Sequence, residues 1–128
     1  MKPLARILMV EDEADIQTVA RLALEAVGGF IVCTCSSGRE ALDLAPSFRP
    51  DLVLLDVMMP GLDGPGTLEA MRLGPATAAV PVMFMTAKVQ PQEVAHLKAL
   101  GALGVIAKPF DPMTLSSTIR DIWAAHHG

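Results

Sequence analysis

Tyrosine is absent from this 128-residue chain, cysteine occurs only twice, and 10 basic residues are outnumbered by 14 acidic ones. Each shortage closes off a class of function. A net charge of −4 and a pI near 5.2 leave no basic face for a polyanion, so direct nucleic-acid binding is not expected. Cys33 and Cys35 stand two apart, where a disulfide within one strand is strained, and a lone C-x-C without a second ligand pair is weak as a metal site. They read as reduced core thiols of a cytoplasmic protein. No run approaches the roughly 18 apolar residues of a membrane span, and the apolar stretch behind Met1-Lys2-Pro3 is too short for a signal peptide. Neither G-x-x-x-x-G-K nor G-x-G-x-x-G occurs, so nucleotide binding has no motif to support it.

What the chain does have is apolar mass. With 52% hydrophobic and 19% charged residues and a mean hydropathy of +0.44, it has material for one core, and its length fits a single domain over 1–128. Five apolar runs, Leu4 to Val10, Phe30 to Cys35, Leu52 to Val57, Val80 to Met85 and Ala102 to Ala107, read as buried strands.

Helices are expected between them. Ile16, Val19, Ala20, Ala23 and Val27 keep helical spacing, Gln17, Thr18, Arg21 and Glu25 occupy the other faces, and Gly28-Gly29 ends the segment. Ser37 and Glu40 have capping-box spacing for a second helix running toward Pro46. A short third helix is expected over Gly64 to Arg72, although Pro65 and Gly66 crowd its start. Pro91 opens a fourth carrying Val94, Leu97 and Leu100, stopped by Gly101. Asp111-Pro112 reads as cap and first residue of a fifth, with Leu115, Ile119, Ile122 and Trp123 turned inward. Strand and helix thus alternate five times, which predicts an α/β fold with a parallel sheet covered on both faces.

Ligands of open α/β sheets bind outside the carboxyl ends of the strands. Four of the five ends carry suitable groups: Glu11-Asp12 after the first, Asp56 at the third, Thr86 at the fourth and Lys108-Pro109 after the fifth. Three carboxylates at one sheet edge repel unless a cation offsets them. Oxygen-only ligands suit Mg²⁺, and Mg²⁺ with the Lys108 ammonium balances the three negative charges. A carboxylate in such a setting can be the nucleophile of phosphoryl transfer, with lysine, hydroxyl and metal each taking one phosphoryl oxygen. Taken singly, each residue also has an ordinary reading. Glu11 and Asp12 suit the acidic first turn of a helix, Asp56 a strand-terminating turn, Thr86 a loop and Lys108 an exposed strand end. Their joint placement at four strand ends favours a site.

These residues resemble the response-regulator receiver domain of two-component signalling. The resemblance covers essentially the whole chain and rests on ILMVEDE, DLVLLDVMMPGLDG around Asp56, VPVMFMTAK with Thr86, and GVIAKPF with Lys108. It implies a flavodoxin-like, doubly wound five-stranded parallel sheet of order 2-1-3-4-5. It further implies that Asp56 accepts a phosphoryl group from a histidine kinase or a histidine phosphotransfer protein. Mg²⁺ would be held directly by Asp12, Asp56 and the backbone carbonyl of Met58, with Glu11 acting through a water. Thr86 and Lys108 would hold the phosphoryl group, and the surface of helix 4, strand 5 and helix 5 would carry the signal to a protein partner. Lys108-Pro109 is expected to be cis. The resemblance implies a signalling phospho-acceptor with its own autophosphorylation and autodephosphorylation chemistry, rather than an enzyme acting on a separate substrate. An aspartate-nucleophile phosphatase would want a second acid two residues after the nucleophile, where this chain has Met58. A stand-alone regulator is the leading expectation; the alternative is a receiver module of a longer regulator or hybrid kinase. One position departs from the family. Three residues before the lysine, where an aromatic side chain is usual, stands Val105.

Overall fold

The computed structural model describes residues 3–127, without the side chain of His127; Met1 and Lys2, part of the stretch weighed as a signal peptide, lie outside them, as does Gly128. Strands β1 (Arg6–Val10), β2 (Ile31–Cys35), β3 (Leu52–Asp56), β4 (Val82–Thr86) and β5 (Gly104–Ala107) form one parallel sheet ordered β2-β1-β3-β4-β5. Helices α1 (Ala14–Leu22), α2 (Gly38–Phe48), α3 (Gly64–Leu73), α4 (Pro91–Ala99) and α5 (Leu115–His127) alternate with the strands. The order is that of the flavodoxin-like fold. Among the described residues no helix is long and apolar enough to cross a membrane.

The period-two rule sorts the core into two layers. Ile7 and Met9 of β1 join Ala20, Leu24, Leu115, Ile119 and Trp123 on one face of the sheet, while Leu8 and Val10 join Ala41, Ala45, Leu68 and Met71 on the other. The paired strands are shorter than the apolar runs that announce them. Leu4 and Phe30 are buried without being part of the ladders, because apolarity reports burial rather than pairing. Both cysteines are free, Cys35 buried and Cys33 partly so. Burial, reinforced by neighbouring Cys33 and Glu40, pushes the Cys35 thiol up to about 12.

The helices differ from expectation in detail. Helix α1 continues through a π-helical segment, Ala23–Val27, before Gly28 and the positive-φ Gly29 end it. The wider turn departs from 3.6-residue spacing, and Leu24 goes into the core while Val19 and Val27 stay 43% and 49% exposed. Helix α2 is capped as expected, Ser37 Oγ accepting from Glu40 N at 3.1 Å, but runs through Pro46 to a left-handed Arg49. The crowding expected at the start of α3 is in fact a cap. Asp63 Oδ1 accepts from Gly66 N at 2.8 Å, and Pro65 sits in the first turn, where no N–H is needed. Helix α4 buries Leu97, leaves Val94 half-buried, and leaves Leu100 exposed at its C-cap. Asp111 and Pro112 do not open α5 directly. Asp111 Oδ1 accepts from Met113 N and Asp111 O from Thr114 N, making a separate turn before Leu115. The expected inward residues of α5 are confirmed, with Ile122 half-buried against Gly104.

Candidate functional site

The carboxyl ends of β1, β3, β4 and β5 converge because each strand pairs in register with the next. Val10 lies opposite Leu55, Asp56 opposite Met85, and Thr86 opposite Ala107, so the strand-end residues Asp56 and Thr86 and the residues just past β1 and β5, Glu11 and Lys108, come to one edge. Carboxylate oxygens of Glu11, Asp12 and Asp56 lie within 4.8 Å of one another. Glu11 is fully buried, Asp56 is 4% exposed, and Asp12 is exposed at the rim. A buried pair of acids at this separation needs a counter-charge, and Lys108 supplies one. Its Nζ donates to Glu11 Oε1 at 2.7 Å and to Asp56 Oδ1 at 3.3 Å. Desolvation is the largest single influence on that ammonium and favours the neutral amine. The hydrogen bond to Glu11 and the charges of Asp56 and Glu11 together outweigh it, holding the lysine above its ordinary value.

The backbone around the site is tightly held. Lys108 N donates to Thr86 O at 2.9 Å, Val57 N to Met85 O at 3.0 Å and Gly64 N to Val57 O at 3.0 Å. A Cβ at Gly64 would meet Asp56 O at 2.5 Å, so only glycine lets the start of α3 lie this close to the Asp56 peptide. The Lys108-Pro109 peptide is cis, as expected. Thr86 is 5% exposed; its Oγ1 accepts from Lys88 N at 3.0 Å, which leaves the hydroxyl hydrogen available to a ligand. Met58, two residues past Asp56, is 67% exposed at the rim. The burial of Glu11 rules out its ordinary reading as part of an acidic first turn, since α1 begins only at Ala14.

Sequence reasoning missed one residue. Gln17, assigned above to a face away from the core, sends its side-chain amide back to Glu11 O, to Cys35 O at 3.2 Å and to Ser36 Oγ at 3.1 Å. Helical periodicity scores apolar faces and carries no signal for such a bond. Beside the site, Ile16, Val19, Ala87, Pro109 and Phe110 line an open apolar hollow of about 440 Å³.

Residues 7–120 match the family described as the response regulator receiver domain. The chain belongs to this family. It is 38% identical over 117 residues to the protein named "Probable transcriptional regulator ycf27" in Guillardia theta, covering 91% of this chain and 44% of that one. It is 36% identical over 115 residues to the DNA-binding response regulator MtrA of Mycobacterium tuberculosis, covering 90% and 49%. The receiver therefore spans about half the length of the curated relatives it matches. Among solved structures, the chemotaxis response regulator CheY4 of Vibrio cholerae superposes with a TM-score of 0.84 at 32% identity, covering 94% of this receiver and 99% of CheY4. As a receiver, the chain is a signalling phospho-acceptor domain of two-component response regulators, and its acidic cluster is of the kind at which such domains bind Mg²⁺.

Proposed function

We propose that Asp56 is the phosphoryl acceptor of this receiver and that a phosphohistidine of a histidine kinase or phosphotransfer protein is the donor. The observation that carries the reading is the position of Asp56: nearly buried, at the end of the central strand β3, between the acid pair and the Lys108 ammonium. The Asp56 carboxylate attacks phosphorus, a P–O bond forms as the P–N bond breaks, and the leaving imidazole keeps the electron pair and takes up a proton.

Asp12, Asp56 and the Met58 carbonyl would hold Mg²⁺, with Glu11 reaching it through a water. The three acids are an oxygen-donor set of the right hardness for that ion. Mg²⁺ supplies charge neutralisation to the transferring group. Lys108 pairs with one phosphoryl oxygen, and Thr86 donates its hydroxyl hydrogen to another. The apolar hollow by Ile16, Val19 and Phe110 adjoins the site, and it suits contact with the donor protein. The output surface is the face of α4, β5 and α5; Val89 just before α4 and Leu100 at its C-cap are exposed. Free thiols and this chemistry fit a cytoplasmic protein.

Whether the receiver spanning 1–128 acts alone or within a longer regulator is read in two ways. The near-complete coverage of CheY4 supports the first, and the half-length match to MtrA the second. Incubating the chain with a panel of autophosphorylated histidine kinases tests the donor. Rapid transfer of label from one of them, lost in Asp56→Asn, is the expected result; no transfer from any would count against the reading.

A further inference from the structure

We propose that Gln17 is a positioning residue for the acceptor site, acting on Mg²⁺ through the Glu11–Asp12 peptide. The inference rests on the Mg²⁺ reading above and goes beyond it, because Gln17 belongs to none of the ligands.

The last residue of β1 in register with its neighbours is Val10, opposite Cys35 on β2 and Leu55 on β3. Glu11 lies one step beyond. Its N–H is still held by Cys35 O at 3.0 Å, and its carboxylate is held by Lys108. Its carbonyl points past the sheet, and there the Gln17 amide donates to it. The same nitrogen reaches Cys35 O and Ser36 Oγ, so one planar amide ties the ends of two neighbouring strands together. Because the Glu11 carbonyl and the Asp12 N–H share one rigid peptide plane, fixing the first fixes the second. The plane in turn sets the direction from which the exposed Asp12 carboxylate enters the cluster. Mg²⁺ demands near-ideal octahedral geometry, so a swing of one carboxylate costs affinity. Groups that hold ligands in place typically contribute 10- to 100-fold to metal affinity.

Two full-chain variants separate donors from bulk. Gln17→Met keeps the length and removes the N–H donors, whereas Gln17→Arg keeps donors on a long side chain. Titrating MgCl₂ by calorimetry should give a Kd about 10-fold weaker for Gln17→Met and near wild type for Gln17→Arg. Without metal, the Asp12 amide resonance should move in Gln17→Met and return toward its wild-type position in Gln17→Arg. Labelling of Gln17→Met by acetyl phosphate should recover when MgCl₂ is raised in proportion to the lost affinity. Equal Kd values in all three proteins would overturn the proposal, as would a lower Tm of Gln17→Met with its Kd unchanged. Failure of the wild type itself to bind Mg²⁺ would overturn the Mg²⁺ reading together with this proposal, whereas normal wild-type binding matched by Gln17→Met overturns this proposal alone.

Discussion

Lys108 and Glu11 are 97 residues apart in the chain and 2.7 Å apart in space, and the carboxylate of the pair is sealed from solvent. Removing the lysine strands a buried charge. Lys108→Ala should therefore destabilise the metal-free protein by about 1–3 kcal/mol, and Glu11→Gln in the same chain should return part of that loss. Denaturant midpoints in the presence of a chelator provide the measurement. Because the folded state raises the lysine's pKa, the pair's contribution is complete through neutral pH and is lost only as pH climbs past the lysine range.

Mg²⁺ should stabilise the native chain by mass action, since the cluster is assembled only when β1 and β3 lie side by side. At 100 times its Kd the gain is about 2.7 kcal/mol. Thermal melts with MgCl₂ should show it, excess chelator should reverse it, and Asp12→Asn should abolish most of it. A melt indifferent to Mg²⁺ would contradict the ligand set.

The two thiols should behave differently despite their spacing. At pH 8 an alkylating reagent should label partly buried Cys33 at least 10-fold faster than sealed Cys35, until denaturant equalises them. Cys35 also carries a pH signature. An unfolded thiol releases its proton near 9 while the native one keeps it to about 12, so this group's contribution to stability falls as pH rises through that window. Cys35→Ala should flatten that part of the curve.

Val105 stands on β5 opposite Phe84, half-buried and packed on the layer with Leu97 and Ala102. Being β-branched, it is stiff at χ1 and too short to exchange between surface and interior. The signal should therefore travel by backbone, through the loop that begins where Thr86 Oγ1 accepts from Lys88 N. On adding beryllofluoride, amide shifts should be largest from Thr86 to Val94, with Val105 responding less. The reverse pattern would sink this route.

Most of the site was legible in the sequence because its residues lie where ladders end, and ladder ends follow from where apolar runs stop. Glu11, Asp12, Asp56, Thr86 and Lys108 all come to one edge for that reason. The sheet order came from the resemblance; alternation alone leaves several orders open. What stayed hidden depends on tertiary contact. The π-helical turn that buries Leu24 and exposes Val27 answers to packing against α5, which no local period encodes. Gln17 looked like a solvent residue because its acceptors come from β1 and β2 and exist only once those strands pair. The crowding by Pro65 and Gly66 resolves once Asp63 is taken as the cap, and an Asp three residues before Gly66 is a readable cap signal.

The central claim, that Asp56 is the acceptor, is tested most directly by intact-mass measurement after incubation with acetyl phosphate and MgCl₂. The wild-type chain should gain the mass of one phosphoryl group, should fail to gain it when the metal is chelated, and Asp56→Asn should gain nothing. Undiminished labelling of Asp56→Asn would contradict the account.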